Sequence, residues 1–255
     1  MITICGERVV PDEGGALWVP GQAALIVSDL HLEKGSSYAR RGVALPPYDT
    51  RVTLARLSRL LRKYAPRRVI SLGDSFHDPD GPQRLTVADR EALKAMTASH
   101  DWLWIAGNHE GLVDAAALGG RAEDEAELGR LVLRHAPRPA PATGEISGHL
   151  HPVGVVAARG RRLRRRCFVT DTTRLVMPAF GAYAGGLNVL DRAFAPLFDR
   201  DFRAWVMGER EVYPVSPARL APDQAPERTA PQPRSAMPAS DSASAPMTRI
   251  VSRTR

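Results

Sequence analysis

Five short polar clusters, each at or just past the end of an apolar, strand-like run, constrain this chain more than any other feature. In order they are Ser28-Asp29-Leu30-His31, Gly73-Asp74-Ser75-Phe76-His77, Gly107-Asn108-His109-Glu110, Arg134-His135 and Gly148-His149-Leu150-His151. They hold six of the seven histidines in the 255-residue chain. The runs before them include Ala24-Leu25-Ile26-Val27, Arg68-Val69-Ile70-Ser71-Leu72, Trp102-Leu103-Trp104-Ile105 and Leu131-Val132-Leu133. Helical patterns lie between the runs. Thr50–Tyr64 carries Val52, Leu54, Leu57, Leu60 and Leu61 at amphipathic spacing, and Val87–Ser99 reads as a second helix. More strand is expected at 145–147, 166–169, 175–177 and 187–190. The alternation predicts an α/β fold with at least one largely parallel sheet. In open α/β sheets, ligands gather beyond the carboxyl ends of strands. Every cluster occupies that kind of position.

The chemistry of the clusters narrows the reading. Imidazole with carboxylate suits divalent metals such as Mn, Fe or Zn. Asp29 and His31 are alternate residues leaving a strand, an arrangement that turns both side chains to one face. His149 and His151 repeat the spacing. Taken singly, Asp29-Leu30-His31 and Gly73-Asp74 also read as ordinary turn chemistry; the four larger clusters in one chain, each after a strand, are harder to attribute to turns. His100, the seventh histidine, reads as a surface residue. Gly181, Gly185 and Gly186 suit either a loop close to the metals or simple turns.

Composition removes several classes. Two cysteines, Cys5 and Cys167, make neither a disulfide framework nor a thiolate zinc site. No apolar stretch reaches membrane-spanning length, and the N-terminus lacks the pattern of a secretory signal. No membrane partner and a cytoplasmic location are therefore expected. The net charge of +7 favours polyanions without proving that they bind. Beyond Val215, Pro, Ala, Ser and Arg dominate, so residues 1–216 are expected to form one domain and 217–255 a disordered tail. Six arginines between Arg159 and Arg166 form a basic run. Phosphate backbones attract such a run through a sequence-independent term; a solvated hairpin accounts for it nearly as well. Of these, Arg161, Arg162, Arg164 and Arg165, with Arg40 and Arg41, are the candidate nucleic-acid contacts.

The pattern Asp-x-His, Gly-Asp, Gly-Asn-His-Glu, isolated His, Gly-His-x-His over residues 29–151 resembles the calcineurin-like metallophosphoesterase superfamily. The resemblance implies two packed mixed β-sheets flanked by helices and two divalent metal ions, Mn2+ with Fe or Zn as alternatives. It implies that Asp29, His31 and His151 hold one ion and Asn108, His135 and His149 the other. Asp74 would bridge them, and His109 would protonate the leaving oxygen. His77 stands where the superfamily usually has Asp or Asn; it is expected to support the metals or His109 without binding metal.

The stretches Asp29–Gly42, Leu45–Thr50, Gly144–Pro152 and Met177–Asn188 are similar to the ligase-associated DNA damage response endonuclease family, the PdeM type. That closer similarity spans roughly residues 20–195. It implies a phosphodiesterase acting on DNA, alongside a DNA ligase and a repair helicase. The same chemistry would serve a phosphomonoesterase or a nucleotide or nucleotide-sugar pyrophosphatase. A non-catalytic interaction module, as in the retromer subunit of this fold, is expected to have eroded ligands; here the full set is retained.

Overall fold

The computed structural model describes residues 1–158, 160–198 and 201–223. Two β-sheets pack face to face. The first has seven strands, β1 (Ile2–Ile4), β2 (Glu7–Pro11), β3 (Leu17–Val19), β4 (Ala24–Val27), β5 (Arg68–Leu72), β6 (Asp101–Ile105) and β7 (Arg121–Glu123), in that spatial order. Strands β1 to β4 form an antiparallel meander, and β4 to β7 are parallel. Helices α1 (Lys34–Arg40), α2 (Asp49–Tyr64), α3 (Gly81–Arg84), α4 (Val87–Ala98) and α5 (Ala115–Leu118) lie in the connections among β4 to β7.

The second sheet contains β8 (Glu125–Leu128), β9 (Leu131–Arg134), β10 (Glu145–Ser147), β12 (Arg161–Thr170), β13 (Arg174–Val176), β14 (Arg203–Met207) and β15 (Val212–Val215), with β11 (Val153–Ala158) paired to β12. Its order is β15-β14-β12-β13-β10-β9-β8, and β9, β10 and β13 run parallel. Both sheets are therefore mixed.

The core between the sheets joins Ile26, Ile70, Leu72 and Ile105 of the first to Leu133, Ile146, Phe168 and Leu175 of the second. A second apolar layer lies between the first sheet and its helices, where α2 buries Leu54, Leu57, Leu60 and Leu61. Helix α2 carries Asp49 in its first turn and Arg62 and Lys63 in its last, matching its dipole. It ends at Ala65 in the left-handed region, immediately before Pro66. Helix α4 starts on Thr86, whose hydroxyl accepts the Asp89 amide at 3.1 Å.

The expected strands at 24–27, 68–72, 102–105, 131–133 and 145–147 are present; that at 166–169 lies within the longer β12, and that at 175–177 falls on β13 shifted by one residue. The strand expected at 187–190 is not; that segment makes one isolated bridge, Asn188 to Val153. Val189 and Asn188 are buried while Leu187 and Leu190 are exposed, so the apolar run is a loop anchored by those two side chains, Asn188 donating to the Ala221 carbonyl at 2.9 Å. Val52, expected on the apolar stripe of α2, faces outward.

The compact unit runs to Asp223. Residues 217–223, which the sequence assigns to the tail, belong to it. Pro217–Arg219 form a 3-10 turn, Leu220 packs beside Cys167, Val206 and Phe194, and the Ala221 amide donates to the Val155 carbonyl at 2.8 Å. Residues 224–255 and Arg159 lie outside the described residues.

Candidate metal centre

All the expected ligands converge at the carboxyl ends of five strands. Asp29 and His31 follow β4, Asp74 follows β5, Asn108 follows β6, His135 follows β9, and His149 and His151 follow β10. Asp29 and His31 do not share a face through strand alternation, as their spacing suggests. Both have left the strand and sit in the left-handed region, with φ of 54° and 43°. Asp74, His149 and His151 are left-handed too, at 47°, 67° and 47°. Non-glycine residues rarely adopt this conformation, and it concentrates at functional sites. Backbone bonds hold the loops there: the His31 amide donates to the Asp74 carbonyl at 2.9 Å, and the Asp29 amide to Gly73 at 3.2 Å.

Two donor sets result. In the first, His151 Nε2 lies 3.1 Å from Asp29 Oδ1 and 3.3 Å from His31 Nε2. In the second, His135 Nε2 lies 2.8 Å from Asn108 Oδ1, 3.2 Å from His149 Nδ1 and 3.4 Å from Asp74 Oδ1. The His135 Nδ1–H donates to the Leu72 carbonyl at 2.9 Å, which turns Nε2 toward the other donors. Asp74 faces both sets, with Oδ1 toward His135 and Oδ2 3.9 Å from His31 Nε2. Lewis bases pointed at one another fit cations held between them, and an imidazole, amide and carboxylate donor set suits first-row divalent ions.

The electrostatics agree. Asp29 is fully buried, yet His151, His135 and the Ser28 hydroxyl, bonded at 2.5 Å, outweigh burial and hold its carboxyl below the usual range. Burial raises Asp74 too, but His135 and the His109 amide bring it down to about 2. Burial lowers His135, while the Asp74 and Asp29 carboxylates outweigh this and push it up to about 9. His31 is driven down to about 3, mainly by burial. Two buried carboxylates thus impose a strong demand for positive charge.

In a comparison with solved structures, the chain is similar to the crystal structure of Pseudomonas putida nuclease MPE at 32% identity and a TM-score of 0.67, over 84% of this chain and 98% of that one. This chain belongs to the calcineurin-like metallophosphoesterases. More distant similarities are to YfcE, a phosphoesterase from E. coli (15% identity, TM-score 0.39, 76% of this chain and 98% of that one), and to a conserved uncharacterized protein, a predicted phosphoesterase, from Streptococcus pneumoniae TIGR4 (17%, 0.30, 76% and 93%). Neither a family model nor a curated protein matches the chain.

In this metallophosphoesterase, His109 is exposed at the rim of the candidate centre. Its Nδ1–H donates to the His77 carbonyl at 2.9 Å, and its Nε2 faces the centre, 3.7 Å from Asp74 Oδ2. The His77 ring packs 5.3 Å from that of His109 and 5.7 Å from that of His31. His77 is pushed down to about 4 by burial and by Lys34. His100 is far from the centre and binds the Met96 carbonyl at the end of α4.

Glu110, given no role from sequence, lies behind Asp74. Its Oε1 accepts the Ser75 amide at 2.8 Å, and burial beside Asp74 pushes its carboxyl up to about 8. Gly181 and Gly186 do approach the metal motifs: a β-carbon there would collide with the carbonyls of Leu30 and His151 respectively, whereas Gly185 faces open space.

The structure divides the basic residues. Arg40 pairs with Asp80 at 3.1 Å, and Arg41 is exposed. In the β11–β12 hairpin, alternation puts Arg162, Arg164 and Arg166 on one side and Arg161 and Arg165 on the other. Arg162 binds the Pro222 carbonyl, and Arg164 binds Asp223 and the Gly186 carbonyl. Arg166 binds the carbonyls of Phe180, Gly181 and Ala184. That side is engaged in holding the chain, so Arg161 and Arg165 are the freer candidates for nucleic acid. Among the described residues, no helix is long and apolar enough to cross a membrane.

Proposed function

We propose that this metallophosphoesterase is a two-metal phosphodiesterase that cleaves DNA, with Mn2+ in both sites. The observation that carries this reading is the placement of Asp74, which offers one carboxylate oxygen to each donor set. Asp29, His31 and His151 would hold one ion, Asn108, His135 and His149 the other, and Asp74 both. Bound there, two cations would lower the pKa of a shared water and neutralise the phosphoryl oxygens during in-line displacement.

The chain's own residues do the rest. Ser28 and the His149 amide fix the Asp29 carboxylate, at 2.5 and 3.1 Å. The His77 carbonyl fixes the tautomer of His109, so that a proton carried on Nε2 points toward the substrate side. An imidazole held in this orientation can deliver that proton to the leaving oxygen. DNA as substrate rests on the similarity to a nuclease and on the basic residues around the centre. A role in DNA repair beside a ligase and a helicase rests on family resemblance alone. The free thiols of Cys5 and Cys167 suit a reducing compartment such as the cytoplasm.

The test is to strip the purified protein with chelator and assay bis(p-nitrophenyl) phosphate, p-nitrophenyl phosphate and DNA after return of Mn2+. Metal-dependent cleavage of the diester and of DNA is expected. Folded protein with no metal-dependent turnover would refute the reading, and turnover of the monoester alone would make the protein a phosphomonoesterase.

A further inference from the structure

Beside the metal centre, around α1, lies a positively charged surface that the proposed chemistry does not use. A row of rings leads to it from the ligands: His31 to His109 at 5.0 Å between centroids, His109 to His77 at 5.3 Å, and His77 to Tyr38 at 5.6 Å. On this helix opens a cavity of about 440 Å³ lined by Ser37, Arg40, Arg41, Asp78, Pro79 and Asp80.

The charges here do not cancel. Arg84 takes both oxygens of Asp78, each at 2.8 Å, and Arg40 takes Asp80 at 3.1 Å. Lys34 and Arg41 are left over: among the described residues, neither makes an ion pair with a carboxylate. Both stand close to His77. Lys34 is half-buried, with its ammonium 5.9 Å from the Tyr38 ring. Withdrawing a cation from water without a partner is costly, and burial lowers the pKa of this ammonium. The Asp49 carboxylate, which accepts the Gly35 amide, opposes part of that cost without pairing with Lys34, and an anion lying against α1 would supply a direct partner.

We propose that Lys34 and Arg41 bind the phosphate adjacent to the scissile one, so that the site selects a polynucleotide strand over an isolated phosphoester. This rests on the phosphodiesterase reading above and extends it to substrate length. A single-phosphate substrate reaches the ligands and His109 and leaves Lys34 and Arg41 unmatched. A strand presents its next phosphate to them.

The test uses the full chain loaded with Mn2+. KM is measured for an oligothymidylate and for bis(p-nitrophenyl) phosphate in the wild type, Lys34→Ala, Arg41→Ala and the charge-retaining Lys34→Arg. Each alanine variant should raise the ratio of the two KM values about tenfold, the effect of one lost charge-assisted hydrogen bond, and Lys34→Arg should recover most of it. In parallel, anisotropy of a fluorescein-labelled oligothymidylate with metal-free protein should show a salt slope shallower by about 0.7 for each alanine variant. Ratios and slopes equal to wild type would overturn the proposal. So would equal losses on both substrates with the ratio intact, which would place these cations on the reacting phosphate. A wild type that cleaves the small diester and spares the oligonucleotide would refute the DNA reading as well. One that cleaves neither would refute the phosphodiesterase reading, and the salt slopes would still decide the role of Lys34 and Arg41.

Discussion

Gly107→Ala should cripple the centre without removing a single ligand. Gly107 and Gly111 exchange backbone hydrogen bonds, at 2.9 and 3.3 Å, which pins residue 107 against the Asp74 loop. A methyl on residue 107 would come to 2.9 Å from the Asp74 Cα and closer still to its amide nitrogen and Oδ1. Gly107 has no positive φ, so alanine is permitted by the backbone and the penalty is steric. Asp74 cannot swing aside freely: its Oδ1 accepts the His109 amide at 3.0 Å and its backbone is held at φ 47°. Ordinary contact requires a shift of roughly 1 Å. Overpacking of this kind costs about 1–3 kcal/mol, and misplacing a reacting group by about 1 Å costs on the order of 10²-fold in rate. The measurements are Mn2+ stoichiometry by calorimetry, kcat on bis(p-nitrophenyl) phosphate and a thermal melt. Gly185→Ala, with open space at its β-carbon and no positive φ, is the control and should stay within about 0.5 kcal/mol. Two Mn2+ bound at wild-type affinity, with kcat undiminished in Gly107→Ala, would refute the reasoning.

Asp74→Ala should lose metal and turnover together, while His109→Ala should retain metal and lose about 10²–10⁴-fold in kcat; equal metal loss in both, measured by elemental analysis, would remove the role given to His109. Partial burial would raise Asp78, but Arg84 and Ser37 outweigh it and hold Asp78 at about 2 against an ordinary 3.8. Its folded pKa is depressed, so its contribution to stability is fully present above pH 3.8 and is lost as pH falls through about 2. Denaturant melts of Arg84→Met should show a shallower acid loss over that window. Truncation after Ser216 should lower stability relative to truncation after Asp223 by about 1.5–3 kcal/mol, the burial of the Leu220 side chain, read from urea midpoints.

The convergence of the candidate ligands is legible because each cluster follows an apolar run, and a strand end is where a parallel sheet exposes side chains to a common point. The route by which they converge was not. Asp29-Leu30-His31 looks like strand alternation, but a left-handed backbone turns both residues inward, and no hydropathy pattern encodes φ. The meander β1 to β3 escaped detection because its strands are three to five residues long and broken by Gly6, Gly14 and Gly15. The arginines of β12 alternate between an engaged and a free side, which sequence cannot separate when every residue on both sides is charged or exposed. Glu110 was visible only as part of a motif; its burial behind Asp74 comes from the fold of three separate loops. Leu220 sits in a stretch whose composition reads as unstructured, yet its burial, the Ala221 amide bond to Val155 and the Arg162 and Arg164 contacts to Pro222 and Asp223 dock it.

The proposed ions would be gripped by both sheets at once. Asp29, His31, Asp74 and Asn108 hang from the first, while His135, His149 and His151 hang from the second. The spacing of the two halves is set by the apolar filling between them, including Phe168 and Met177. Hollowing that filling would therefore act as a distant lesion of catalysis, and chelation would in turn loosen the clasp that keeps the sandwich shut.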